Sequence, residues 1–508
     1  MHPSRDFDLE QGLPPNWEAL CQDLDLEALL GGMAAGDEAL FAVAQRALLC
    51  SLTDPGVILY RQGVLADCLR SPSVVREMHG IAVAGIEGQR KIFGYTPAAV
   101  LDASVRALTS LLPLLRRLRA LAEEARRGFR SPGFEQLCAT LEEGLDEDYL
   151  QTLEAHLRRL QFPAGVLLSA RLGKGNVGTD YTVRVPRVRG WKEQLALRRR
   201  AEYSFRVSLR DEDATAGLSR IRGRGINPVA HALAQSADHV LGFFKALRTE
   251  LGFYVACLNL YERVAEQGGP ICFPVPASPG ELDLSASGLF DVCLLLRAGR
   301  RPVGNDIDGR GKRLVMVTGA NGGGKSTFLR SIGLAQLMMQ CGMFVGAQTL
   351  RADVSSGVFT HFKRGEDAGM EKGKLDEELS RMSEIVDGIS PGCLLLCNES
   401  VASTNEAEGS EIARQIVSAL TDSGVKVVYA THLYDLAQGL YERGSDEVLF
   451  LRAERRGDGC RSFKLREAGP LPTGFGEDLY RRVFGIADDE ASAEPRPEAR
   501  PAAGGPPG

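Results

Sequence analysis

The chain has 508 residues, 44% hydrophobic and 25% charged; it is too long for one core, and at about 150 residues per domain it points to two to four globular domains. A formal net charge of -6 excludes a molecule-wide attraction to nucleic acid, so any such attraction has to come from a local patch. Eleven cysteines run from Cys21 to Cys460 with no CxxC pair and no histidine at zinc-finger spacing, which indicates neither a disulfide framework nor a metal site and suits reduced cytosolic thiols.

The N-terminus, MHPSRDFDLEQGLPPNW, is acidic and lacks the apolar core of a signal peptide, and no stretch of about 18 apolar residues appears. The expected location is the cytoplasm or the nucleoid, without a membrane. From Trp17 to about Arg130 apolar residues recur at helical spacing, as in LDASVRALTSLLPLLRRLRALAEEARR over 101–127. Residues 133–160 continue this pattern and Pro163 stops it. From Gly165 to about Arg224 the pattern changes to the short alternating runs VLLSARL, TDYTVRV and YSFRVSL, a small sheet or pair of hairpins. Within it, Gly173-Lys174-Gly175-Asn176-Val177-Gly178 matches GxGxxG but opens no helix, so it reads as a hairpin turn rather than a dinucleotide site.

A long helix is predicted from about Pro228 to Val264, about 37 residues or roughly 55 Å, suited to a lever or strut. Residues 273–308 read as loop and short strand. A strand, RLVMVTG, begins at Arg313, and strands and helices alternate from there to about residue 436, as in an α/β domain with a mostly parallel sheet. The end, ADDEASAEPRPEARPAAGGPPG, cannot build a core and reads as a disordered tail. The expected fold is therefore multidomain: an all-α core domain (1–164) with a small basic β-rich insertion (165–226), a lever helix (227–270), an α/β P-loop NTPase domain (271–486) and a tail (487–508).

Gly319-Ala320-Asn321-Gly322-Gly323-Gly324-Lys325-Ser326 fits GxxxxGK[ST], follows an apolar strand and opens the helix STFLRSIGLAQLMMQ with Ser326 and Thr327. Such a loop turns backbone N–H groups onto phosphates; Lys325 reaches the β/γ-phosphates of ATP and Ser326 can ligate Mg²⁺. About seventy residues on, CLLLCNES is a second apolar strand ending in a carboxylate, and Glu399 is the candidate to orient and deprotonate the attacking water. A third strand, VKVVYATH, ends at His432. That histidine is either structural or, at the carboxyl end of a parallel strand where ligands bind, a contact to the γ-phosphate.

These motifs together resemble the MutS family, which carries a TGPNxGGKST loop, a DE at the second strand, an acidic-Gly pair opening the next helix, and ATH after the third strand. This chain has TGANGGGKST, Asn398-Glu399, Glu408-Gly409 and Ala430-Thr431-His432, with Pro302-Val303-Gly304-Asn305-Asp306 echoing the family's Pro-Asn-Asp lead-in. The resemblance is strongest over 302–436; upstream, ILYRQGVLADCLRSP resembles the start of the family's helical core and SADHVLGFFKALRTELGFYVACLNL its lever helix. It implies an ABC-type ATPase acting as a homodimer on nucleic acid, double-stranded or branched DNA, in repair or recombination. Lys325, Glu399 and His432 would be its catalytic residues, the loop from Gly319 to Thr327 its nucleotide site, and Ser326 and Asn398 its Mg²⁺ contacts, Asn398 through water.

Departures from the family pattern narrow this reading. Asn398 replaces the usual aspartate, keeping an acceptor oxygen but losing the charge, so weaker Mg²⁺ binding or slower turnover is expected. Gly373-Lys374 stands where the family's signature loop carries hydroxyls; Lys374 either reaches the γ-phosphate across a dimer or pairs along its helix with Glu378. The front of the chain has no room for the family's mismatch-reading and connector domains, and Phe475-Gly476-Glu477 is the only F-x-E. Between Gly165 and Gly225 fourteen Lys or Arg face six Asp or Glu, an excess of eight. Arg187, Arg189, Arg198, Arg199, Arg200, Arg220, Arg222 and Arg224, with Tyr181, Trp191, Tyr203 and Phe205 among them, read as a phosphate-contacting patch or as a solvated face. The rival function is an ATP-gated scaffold with little turnover, working on a protein or ribosomal RNA; a transporter ATPase is remote for want of an LSGGQ-like signature.

Overall fold

The computed structural model describes residues 1–88, 96–163, 165–184, 206–208, 210–364, 373–455 and 461–472. The chain divides into two compact units, one formed by Met1–Glu281, Ser285–Pro302 and Ser331–Ser355, the other by Leu282–Leu284, Val303–Arg330 and Ser356–Gly508.

The first unit begins with helices α1 (Trp17–Leu24), α2 (Leu26–Ala34), α3 (Glu38–Leu49), α4 (Pro55–Arg70), α5 (Pro72–Glu87), α6 (Pro97–Ala125), α7 (Pro132–Gly144) and α8 (Glu147–Leu160). Their starts are written locally. Asp37, Asp54, Thr96, Ser131 and Asp146 each accept a backbone N–H as N-cap, and proline opens α4, α5, α6 and α7, where its missing N–H costs nothing. Strands β1 (Leu167–Leu172) and β2 (Gly178–Arg184) pair antiparallel, and Gly175, at φ 72°, lies in the turn between them, so the GxGxxG match is a hairpin turn. YSFRVSL lies for the most part outside the described residues, as do Trp191, Tyr203 and Phe205.

Helix α9 runs from Glu212 to Glu266, 55 residues, and starts sixteen residues before the expected Pro228. Asp211 caps it by accepting the Ala214 N–H, and Pro228 lies inside it. Proline is a strong stop signal only where nothing else holds the helix. Here Ile226, Ala230 and Ala237 pack with Leu101, Val105, Leu108 and Leu112 of α6 and Leu150 and Leu157 of α8. Arg220, Arg222 and Arg224 therefore stand on a helix and not in a β insertion. Among the described residues, α6 is long and apolar enough to cross a membrane by length and mean composition, although Asp102, Arg106, Arg116 and Arg117 interrupt it, so no unbroken apolar stretch of about 18 residues is present in it. Its apolar stripe is the one packed in this core.

Strands β3 (Val275–Ala277) and β4 (Leu284–Leu289) and helix α10 (Val292–Ala298) follow. Helix α10 was not expected in 273–308; seven residues between the Asp291 cap and the left-handed Gly299 are too few to show a period. Next come β5 (Asn305–Asp308), β6 (Leu314–Thr318), α11 (Lys325–Gln340) and β7 (Thr349–Asp353), the last parallel to β3. The remaining elements are β8 (Val358–Phe362), α12 (Lys374–Gly388), β9 (Leu394–Asn398), α13 (Glu406–Asp422), β10 (Lys426–Ala430), α14 (Tyr434–Glu442), β11 (Val448–Arg455) and β12 (Arg461–Glu467).

In the second unit six strands form one sheet in the order β12-β11-β6-β10-β9-β8, all parallel except the edge strand β12. Residues 314–318, 394–398 and 426–430 are apolar almost without interruption, as strands covered on both faces must be. Met316, Leu395, Val427 and Tyr429 meet Ala413 and Val417 of α13 and Leu436 of α14 on one face. A helical first part followed by a mixed α/β part agrees with the expected fold class. The tail from 487 lies outside the described residues.

Candidate nucleotide site

The register of the sheet assembles the site. Ala430 pairs with Val317 on one side and Asn398 on the other, so Thr318, Glu399 and His432 leave the sheet at one edge, the carboxyl ends of three parallel strands. The Thr431 N–H donates to Val317 O at 3.0 Å and the Glu399 N–H to Ala430 O at 2.8 Å, tying the three exits together.

The loop from Gly319 wraps this edge and hands the chain to α11, whose first residue is Lys325. Gly319 has φ 109°, and a Cβ there would come 2.9 Å from Ala453 N on β11, so no other residue fits. Asn321 and Gly322 form the exposed crest, and Ala320 and Gly323 lie buried beneath it. Lys325 is buried and donates to Gly319 O at 2.8 Å and Ala320 O at 3.3 Å, bridging the loop its own ammonium serves. Burial pushes its pKa down, Arg461 acts the same way, and Glu399 opposes them.

Ser326, exposed at the start of α11, donates its hydroxyl to Asn398 Oδ1 at 2.8 Å. Glu399 is half-buried with Oε1 3.7 Å from His432 Nδ1, a charge contact too long for a hydrogen bond. The His432 imidazole holds the Glu399 carboxyl below the ordinary range, Lys325 and Lys363 work in the same direction, and burial opposes them. Glu408-Gly409 lies in the first turn of α13, which Asn405 caps by accepting the Glu408 N–H. A cavity of about 230 Å³ opens beside Gly319, Thr431, His432 and Tyr434.

Sequence reasoning missed two contributors. Lys363 follows β8 directly and donates its N–H to Asn398 O at 3.0 Å, so its charge reaches Glu399; its place just past a strand end was the available signal. The β11–β12 hairpin, not foreseen at all, brings Phe463 to 3.7 Å from a Cβ built on Gly324. Asn305 pins that hairpin, donating to Phe463 O at 3.1 Å and accepting the Leu465 N–H at 2.7 Å.

Other expected residues lie elsewhere or outside the described residues. Gly373 caps α12 and Lys374 is its first residue; the Glu378 side chain is buried and accepts the Ser403 hydroxyl at 2.8 Å. Arg220, Arg222 and Arg224 are exposed on α9. At 100° per residue Arg220 and Arg224 share a face and Arg222 points away. Arg187, Arg189, Arg198, Arg199 and Arg200 lie outside the described residues, and so does Phe475-Gly476-Glu477.

A parallel sheet with a glycine loop passing from strand to helix, and a serine, an amide and a carboxylate gathered at its carboxyl edge, defines an α/β nucleotide-binding domain. Residues 315–463 match the model of MutS domain V, and residues 53–267 match that of the MutS2 N-terminal domain. Over these two stretches the chain is MutS-like. It is 30% identical over 221 residues to the DNA mismatch repair protein MutS of Desulforamulus reducens, covering 38% of this chain and 25% of that protein. It is 29% identical over 223 residues to the protein of the same name from Leptospira interrogans, covering 41% and 26%. The match spans about a quarter of the length of these relatives. MutS domain V is an ATPase domain, and ATP binding and DNA binding are properties of the family.

Proposed function

We propose that this chain hydrolyses ATP at an ABC-type P-loop site and uses the cycle to switch a homodimer between states that grip and release double-stranded or branched DNA. The observation that carries the reading is the meeting of Ser326, Asn398, Glu399 and Lys325 at one sheet edge. The Ser326 hydroxyl and Asn398 Oδ1 are oxygen donors 2.8 Å apart at the mouth of the loop, a set that suits a hard divalent cation. Those two residues would hold Mg²⁺, Asn398 through water. Bound there, the cation neutralises charge on the phosphates.

The remaining work falls to the chain. The helix start at Lys325 and the loop N–H groups bind the phosphates. Lys325 exchanges its bonds to Gly319 O and Ala320 O for phosphate oxygens, a favourable exchange for a desolvated ammonium. Glu399, held ionised at neutral pH, orients the attacking water and takes its proton, and His432 contacts the γ-phosphate. Lys374 completes the partner subunit's site with a positive charge. The basic residues between 187 and 224 contact the DNA backbone.

The missing charge at Asn398 supports a second reading, a slow nucleotide-gated scaffold on a protein or ribosomal RNA partner. ATP hydrolysis with and without duplex and branched DNA separates the two. Stimulation by DNA supports the first, and a low rate indifferent to DNA supports the second.

A further inference from the structure

Behind the hydrolytic edge lies a buried histidine that the chemistry above does not use. His361 is 0% exposed on β8, in register with Cys397 of β9. Its Nε2 lies 3.0 Å from the backbone oxygen of Glu378 on α12, and its Nδ1 lies 2.7 Å from Ser400 Oγ. A carbonyl oxygen only accepts, so Nε2 carries the proton and donates. Burial, with Arg381 and Arg364 adding to it, pushes the imidazole pKa down to about 4, so the ring is neutral near pH 7 and Nδ1 accepts the Ser400 hydroxyl. The partners on its two sides thus select one tautomer.

Ser400 is fastened from further directions. Its one hydroxyl proton is shared between two acceptors, His361 Nδ1 and, at 2.8 Å, His361 O, and its own carbonyl accepts the Tyr429 hydroxyl at 2.7 Å. The two residues flanking it, Glu399 at φ 53° and Val401 at φ 59°, both adopt the left-handed conformation. That conformation is costly for non-glycine residues, which keep it only where their surroundings impose it. The same turn is tied to α12 a second time, because the Ser403 hydroxyl donates to Glu378 Oε1 at 2.8 Å.

We propose that His361 is a positioning residue for hydrolysis: through Ser400 it holds Glu399 in its left-handed turn and links that turn to helix α12, which starts at the Gly373-Lys374 stretch. The inference rests on the ATPase reading. A shift of α12 at Glu378 passes through the imidazole to Ser400 and re-aims the Glu399 carboxylate. The phosphate-binding loop is carried by β6 and α11, so nucleotide affinity is insulated from the same shift.

The test compares the full-length chain with His361→Gln and Ser400→Ala, alone and combined with Glu399→Gln, using ATP as substrate. Ser400→Ala removes one oxygen and guards against a His361 variant that does not fold. Each single variant is expected to lower kcat about tenfold or more, the scale of a misplaced catalytic group, with KM and nucleotide Kd within about twofold of the parent. Within the Glu399→Gln background the same changes should leave the residual rate untouched, since they act through Glu399. Unchanged kcat in folded single variants overturns the inference while the ATPase reading stands, and so does an equal loss in both backgrounds or a matching loss of affinity. A parent chain that hydrolyses no ATP overturns the reading and the inference together.

Discussion

Ser326 donates its hydroxyl to the amide oxygen of Asn398 across 2.8 Å, so the Mg²⁺ position proposed for this site would be built from two neutral side chains. An aspartate at 398 would accept the same hydrogen bond and add a negative charge to a cation site. Asn398→Asp is therefore expected to lower the Mg²⁺ concentration giving half-maximal ATPase by several-fold, about 1 kcal/mol of added attraction. Titrating hydrolysis with MgCl₂ in both forms checks this, and superimposable curves would sink it.

The pH profile follows from the charge contact between His432 and Glu399. The base role proposed for Glu399 requires its ionised form, and its pKa is depressed, first by His432 and then by Lys325 and Lys363. Its ionised form persists as pH falls until the folded-state pKa is crossed, so the acid limb of kcat should lie below the ordinary carboxylate range. His432→Ala removes the largest cause and should move that limb towards higher pH, besides lowering the plateau. A limb that stays in place would show that another group sets it.

Nucleic-acid binding carries a prediction about direction on α9. Arg220 and Arg224 share a face, and Arg222 points the other way. If that face meets phosphates, Arg220→Ala with Arg224→Ala weakens duplex binding and reduces the slope of log K against log salt by about 0.9 for each phosphate no longer neutralised. Arg222→Ala alone should change the slope less. Equal effects from both surfaces would contradict a directed interaction.

Gly319→Ala probes the loop without touching its chemistry. The positive φ and the 2.9 Å approach of a Cβ to Ala453 N both oppose it. A loss of about 1–3 kcal/mol is expected, read as a melting temperature lower by several degrees, with weaker nucleotide binding because the loop must shift off β11. An unchanged melting curve would show that the β11 approach is softer than the geometry indicates.

The site was legible where its chemistry is contiguous in the sequence. Gly319 to Ser326 is a single run between a strand and a helix, and Asn398-Glu399 and Thr431-His432 each end an apolar strand, so one local pattern gave the element and its place at the sheet edge. His361 and Lys363 were not legible, because their importance lies in a neighbouring strand and in residues about 35 to 40 positions away, which no spacing rule reaches. The fold shows the same divide. Caps such as Asp37 and Ser131 announce helices, whereas α9 runs through Pro228 because packing against α6 and α8 outweighs the local stop signal. The β11–β12 hairpin was missed because alternation in an edge pair is weak next to the charged run between 452 and 458.

The central claim is that Glu399 drives ATP turnover at a loop that binds nucleotide without it. The direct measurement is steady-state hydrolysis by the full-length chain and by Glu399→Gln, with nucleotide binding followed in parallel by equilibrium titration. A fall in kcat of about 10²-fold or more with Kd nearly unchanged is expected for loss of a general base. A Glu399→Gln chain that hydrolyses ATP at the parent rate would contradict the account.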